Sequence, residues 1–185
     1  FAIATLNPIE LGQGTFPLSE AATDRFAIMV NIGYLPAEEE QKLVDFDFKK
    51  VHLRGLMSKE RVLELRSHIG EQVFLHDALG KYIRRLVSAT RPYSPETDWH
   101  QHSPSPLVEQ YVELGGSPRA TICWGRLVKV WALINGRRDE VYPEDIQELA
   151  KYVLGHRLWL APHAASRHIR VDTVIDEVIA AVPIP

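Results

Sequence analysis

Three residues carry side chains suited to handling a phosphate, each at a point where the chain changes character. Asn7 follows a short apolar run, residues 1–5 (FAIAT), that reads as a strand buried on both faces. Ligands of open parallel sheets sit beyond the carboxyl ends of strands. An amide there both donates and accepts, which suits holding a water in line with a phosphate. The alternative is that Asn7-Pro8 simply opens a turn. Arg25 stands at the start of a second apolar run, residues 26–32 (FAIMVNI). If the two runs are parallel strands, Arg25 lies at the opposite sheet edge from Asn7, roughly 17–23 Å away for strands of this length. A phosphate it touches would then belong to a neighbouring subunit, the geometry of an arginine finger in trans. The alternative is a surface arginine paired with Asp24 or another carboxylate. Arg119 follows Gly115-Gly116-Ser117-Pro118 in the first turn of a helix. A cation opposes the helix dipole there, at about 0.3–1 kcal/mol, unless an anion or a structural carboxylate joins it.

The elements that must position these residues divide the chain in two. Residues 8–24 hold Gly12, Gly14 and Pro17, long enough for a crossover between parallel strands and too long for a tight hairpin. After Leu35-Pro36 helical signals dominate. Carboxylates crowd the first turn of the segment AEEEQKLVDF. Ser58 is an N-cap, with Met57 and Val62 spaced as a hydrophobic staple. Asp77 is expected to cap a helix whose apolar stripe is Leu79, Tyr82, Ile83, Leu86 and Val87. Ser117-Pro118 opens a long helix expected to bury Ala120, Cys123, Leu127, Trp131 and Ile134. Pro143 opens another with Ile146, Leu149, Ala150, Val153 and Leu154 inward, stopped by Gly155. Residues 172–182 form a last amphipathic helix. Residues 92–114 read as a long loop with a short helix near 108–113.

The bulk properties exclude several classes. A chain of 185 residues with 45% hydrophobic content is an ordinary globular sequence. A net charge of −3 argues against a general nucleic-acid binder. One cysteine, Cys123, excludes an internal disulfide and fits a cytoplasmic location. No apolar run is long enough to span a bilayer. The first residue is Phe1 rather than Met, which suggests a piece of a longer protein. His100 and His102 lack further ligand types nearby, His163 and His168 are off one helical face, and no metal is expected. The basic residues Lys81, Arg84, Arg85 and Arg91 are first a solvated face and only secondarily a nucleic-acid surface. Cys123, on an apolar stripe, reads as an inert thiol, and the aromatic residues at helical spacing read as core.

Taken in order, Ala4-Thr5-Leu6-Asn7-Pro8-Ile9-Glu10, Gly14-Thr15-Phe16-Pro17-Leu18 and Asp24-Arg25-Phe26 resemble the MoxR family of AAA+ ATPases. The blocks Gly116-Ser117-Pro118-Arg119-Ala120 and Tyr142-Pro143-Glu144-Asp145-Ile146 match that family's helical lid in the same order. The resemblance covers most of the chain. It implies a mainly α chain: residues 1–34 as the last α/β piece of a nucleotide-binding core, with two strands and a crossover, and residues 35–185 as the helical lid. It implies that Asn7 is sensor 1, Arg25 the arginine finger and Arg119 sensor 2. Ser19, Ala22 and Thr23 depart from the family's usual residues near the finger, and Tyr142 stands where a capping threonine is common. No G-x-x-x-x-G-K-S/T occurs in these 185 residues, nor an acidic Walker B strand. The resemblance implies ATP and Mg2+ as ligands of an intact ATPase. The 185-residue chain by itself is expected to be inactive and to bind neither. The implied partners are neighbouring subunits of a hexameric ring and von Willebrand factor A-domain proteins, in chaperone-like assembly of complexes. A non-catalytic helical interaction module, or a fragment of a magnesium-chelatase-like or DNA-translocating relative, are the rival readings.

Overall fold

The computed structural model describes residues 2–6, 18–93, 103–136 and 139–185. The chain is mainly helical. The elements are α1 (Glu20–Thr23), α2 (Ala37–Lys42), a 3-10 turn (Phe48–Lys50), α3 (Lys59–Gln72), α4 (Asp77–Ala89), α5 (Pro106–Tyr111), β1 (Val112–Leu114), α6 (Pro118–Ile134), α7 (Pro143–Leu154), β2 (Trp159–Leu160), α8 (Pro162–Ser166) and α9 (Val171–Ala181).

The core is the space between α4, α6, α7 and α9. Helix α4 buries the stripe read from its spacing, Leu79, Tyr82, Ile83, Leu86 and Val87. Helix α7 likewise buries Ile146, Leu149, Ala150, Val153 and Leu154. Proline at the first helical position starts α5, α6, α7 and α8, where its missing N–H costs nothing. Ser58 Oγ accepts from the Arg61 amide at 3.2 Å, as its N-cap role requires. Helix α5 is tied to α9 because Glu177 accepts from the Leu107 amide at 3.1 Å and from the Ser105 hydroxyl.

Three expectations are corrected. The cap of α4 is His76, whose Nδ1 accepts from the Ala78 amide at 3.2 Å. Asp77 sits inside the first turn and pairs with Lys81 at 2.5 Å. Helix α6 buries Ala120, Trp124, Val128 and Ala132, a ridge at i+4 intervals. Cys123, Leu127 and Trp131 are only partly covered and Ile134 is 70% exposed. The helix is apolar on two adjoining faces, and the pocket between α4 and α7 takes the one bearing Trp124. Gly155 ends α7 as expected, with right-handed backbone (φ −55°).

The third correction concerns the two strands expected in residues 1–5 and 26–32. Neither residues 2–6 nor residues 26–32 form a strand. A strand exists only with a partner, and the polar backbone of the second run is spent elsewhere, as the site below shows. The strands among the described residues are β1 and β2, paired antiparallel with Val112 opposite Leu160 and Leu114 opposite Trp159, an irregularity between. The bond from the Ala161 amide to the Tyr111 carbonyl, 2.8 Å, extends that pairing. It closes the lid beside the start of α6.

Because Trp124 is fully buried and Ile134 is not, Trp124→Ala should lower the unfolding free energy by about 3–5 kcal/mol. Ile134→Ala should change it by no more than about 0.5 kcal/mol. Denaturant titration of both variants checks which face of α6 is core.

Candidate functional site

The centre of the site is a residue that the sequence reading did not single out. Arg157 follows α7, and its side chain is 2% exposed. All five guanidinium N–H donors find acceptors. Nε donates to Asp24 Oδ1 at 3.0 Å. One terminal nitrogen donates to the Ala27 carbonyl at 3.3 Å and to the Val153 carbonyl. The other donates to the carbonyls of Asp24 at 3.1 Å and Phe26 at 2.6 Å. A cation that cannot shed its proton is tolerated when buried because every donor is matched and a carboxylate adjoins it.

Neighbouring groups extend this seam. His156 Nε2 faces the Phe26 carbonyl at 3.0 Å, which sets the proton on Nε2. Among the described residues its Nδ1 is buried without a hydrogen-bond partner. Cys123 Sγ donates to the Ala27 carbonyl at 3.5 Å, and the Met29 amide donates to the Tyr152 carbonyl at 2.9 Å. Residues 24–29 are therefore laid along the end of α7 and the flank of α6. The Asp24, Phe26 and Ala27 carbonyls and the Met29 amide are used by the lid, so the start of the apolar run 26–32 is bonded to helices and not to a sheet. Burial raises the Cys123 thiol above its usual range, in keeping with an inert role.

The seam reaches the start of α6 through Asp24. Its second oxygen accepts from Ser117 Oγ at 2.7 Å, and the same hydroxyl accepts from the Arg119 amide at 3.1 Å. Ser117 is thus both N-cap and bridge. The preceding Gly115-Gly116 is held by the end of α4. Thr90 Oγ1 accepts from the Gly116 amide at 2.8 Å while donating to the Val87 carbonyl at 2.7 Å. Arg91 Nε donates to the Gly116 carbonyl at 2.8 Å. A Cβ on Gly115 would lie 2.6 Å from the Thr90 carbonyl carbon, so backbone meets backbone and only glycine fits.

Two of the three residues predicted from sequence flank this seam. Arg25 is exposed, and among the described residues its guanidinium has no ion-pair partner. The alternative pairing with Asp24 is excluded, since Asp24 is committed to Arg157 and Ser117. Arg119 is exposed as well, and no described carboxylate pairs with it. At the start of α6, Pro118 has no amide proton, Arg119 donates to Ser117 Oγ and Ala120 to the Ser117 carbonyl at 3.0 Å. The hydrogen bonding for an anion there comes from the guanidinium rather than from those amides. Asn7 lies outside the described residues, as do His100 and His102.

Other candidates resolve into structure. Among the described residues no group of three His, Cys, Asp or Glu side chains is gathered for a metal. His163 Nε2 faces the Gln110 carbonyl at 3.0 Å. Of the basic residues read first as a solvated face, Lys81 and Arg84 are exposed on α4, Lys81 pairing with Asp77, while Arg85 donates to the Pro183 carbonyl at 3.1 Å and Arg91, beyond the helix, holds Gly116. A groove of about 520 Å³ beside the seam is lined by Met29, Asn31, Lys151, Tyr152, Arg170 and Asp172. Its cations are paired, Lys151 with Asp176 at 2.8 Å and Arg170 with Asp172 at 3.4 Å.

With the geometry in hand, residues 105–178 match the family model described as "AAA lid domain", which spans α5 to most of α9. Over 99% of its length the chain is 35% identical to the chaperone MoxR1 of Mycobacterium tuberculosis, covering 46% of that protein. It is 34% identical over its full length to YeaC of Bacillus subtilis, covering 53% of it. The chain belongs to the MoxR-type AAA+ family. A crystal structure of a candidate ATPase from Cytophaga hutchinsonii superposes over 97% of this MoxR-type chain and 52% of its own, with a TM-score of 0.77 and 34% identity. The chain thus spans about half the length of the relatives it matches. Among the described residues no helix is long and apolar enough to cross a membrane.

Two outcomes follow from the seam. Burial, then the adjacent Arg157 charge, holds His156 below the ordinary imidazole value of 6.5, opposed by the Phe26 carbonyl. The unfolded chain therefore takes the proton more readily than the folded one. The stability from neutral His156 is complete above pH 6.5 and is lost as pH falls below it. Thermal melts between pH 8 and 5 should show this decline, and His156→Gln should flatten it. Gly115→Ala should destabilise the lid by more than the roughly 1 kcal/mol of an average substitution, because the clash is with backbone. Denaturant titration measures that loss.

Proposed function

We propose that this chain is the nucleotide-sensing and lid-bearing part of an ATP-hydrolysing MoxR-type AAA+ machine. The observation that supports it is the pair of exposed guanidiniums, Arg25 and Arg119, each without an ion-pair partner among the described residues, on either side of the Asp24–Ser117 hydrogen bond. Unpaired cations next to a rigidly bonded seam suit a ligand rich in negative charge. A triphosphate is such a ligand, and each of these arginines suits the anionic end of one. Its adenine and Mg2+ would be held by other parts of the intact protein.

In this reading Arg25 neutralises charge developing on a neighbouring subunit's γ-phosphate, and Asn7 orients the attacking water. Arg119 contacts the nucleotide between core and lid, so that the presence or loss of the γ-phosphate biases the lid's position. Lid rotation is the mechanical output. The working unit is a ring of subunits, hexameric by kinship, acting in the cytoplasm. Its task is chaperone-like assembly or activation of protein complexes, with von Willebrand factor A-domain proteins as partners. The relative MoxR1 bears the name chaperone, in keeping with that task.

The test is ATP turnover by the full-length protein. Arg25→Ala should lower kcat by about 10³–10⁵-fold, the range of trans-acting arginines. Mixing these subunits with subunits whose own ATP site is disabled should restore turnover, because each supplies what the other lacks. Normal turnover by Arg25→Ala alone would make Arg25 structural and remove the reading's central step.

A further inference from the structure

Resting on that reading of Arg25, we infer that Arg157 is a positioning residue for it. Four of its five bonds fix the turn that presents Arg25, and through Asp24 they tie that turn to the start of the Arg119 helix. The two sensing arginines are thereby coupled within one subunit.

The argument begins with what holds Arg25 in place. Residues 24–27 have no regular strand structure, so no sheet constrains their dihedral angles. Arg157 substitutes for one. Its fork donates to four acceptors on this turn: the Asp24 carboxylate and carbonyl, the Phe26 carbonyl and the Ala27 carbonyl. Arg25 lies inside that span, its backbone bracketed and its side chain outside. His156 adds a second bond to the Phe26 carbonyl. The anchor itself does not yield, because Arg157 also bonds Val153 in the last turn of α7 and is almost wholly buried.

The coupling comes from the second oxygen of Asp24. It accepts from Ser117, which caps α6 through the Arg119 amide. From Arg25 to Arg119 the path is one carboxylate and one hydroxyl, each holding fixed-geometry bonds. A shift of α6 when Arg119 gains or loses an anion moves Ser117, and Asp24 transmits that shift to the turn bearing Arg25. One subunit's nucleotide state would thus adjust how well its arginine serves the next subunit's site. The paired cations of the groove beside Met29 carry no comparable link.

The test uses full-length rings and the mixing assay, with Arg25→Ala as the control. Arg157→Gln should lower kcat on the order of 10²-fold, the cost of misplacing a catalytic group by about 1 Å. KM for ATP should stay near wild type, since the subunit's own ATP contacts are intact. Subunits with a disabled ATP site should rescue it, as they rescue Arg25→Ala. The double variant should be no slower than Arg25→Ala alone. Asp24→Ala, which leaves the carbonyl bonds of Arg157 in place, should show a smaller loss with the same rescue. It decides the matter alone if Arg157→Gln does not assemble into rings. If Arg25→Ala is rescued by mixing but the assembled Arg157→Gln or Asp24→Ala rings are not, the finger reading stands and the positioning role is wrong. Wild-type kcat in the assembled variants also overturns it. Normal turnover by Arg25→Ala removes both.

Discussion

A permanently charged guanidinium buried at the end of α7 is the constraint around which the rest of the site is organised. Removing such a group from water costs several kcal/mol unless its hydrogen-bonding capacity is met. Arg157 meets it with all five donors, on Asp24, Phe26, Ala27 and Val153. Lysine has three donors and no planar fork, so it could not satisfy the same acceptors. The requirement runs both ways. The carbonyls of Asp24, Phe26 and Ala27 are not in a sheet, and Arg157, His156 and Cys123 supply donors to them. Two sets of polar groups that would each be costly alone satisfy one another, which pins this segment to the lid.

Tight packing inside the lid makes that pin effective. Helices α4, α6 and α7 share a core centred on Tyr82, Trp124 and Ile146, all fully buried. The Trp124 indole N–H donates to the Ile146 carbonyl at 3.2 Å, so even the polar atom at the centre is matched. The end of α4 grips Gly116 through Thr90 and Arg91, and the glycine pair lets the two backbones approach closely. The result is a rigid start to α6. Against that rigidity Arg25 and Arg119 project from the surface with no ion-pair partner among the described residues. Exposed ion pairs would contribute little stability, about 0–1 kcal/mol, so leaving these cations free costs the fold almost nothing.

Some of this was legible in the residues and some was not. The apolar stripes of α4 and α7, the proline starts and the Ser58 and Ser117 caps follow from spacing and backbone chemistry, which are local. The buried face of α6 is not legible in its spacing, because both of its flanks are apolar and only the neighbours decide which one is covered. Residue types favour Asp77 as the cap of α4, since a carboxylate is the commoner acceptor, but the imidazole of His76 is one residue better placed. Residues 26–32 have the composition of a buried strand, yet composition cannot supply a strand partner.

By itself the sequence determined the helical lid, its family and the arginines whose order and setting suit a phosphate. Each of these depends on contacts within a turn or two, or on the wording of short blocks. Only the tertiary structure decided that Arg157 and Asp24 belong together, since they are 133 residues apart and neither stands in a pattern that announces burial. A buried arginine is recognisable only by the acceptors that surround it, and those acceptors are mostly backbone carbonyls, which every residue carries alike.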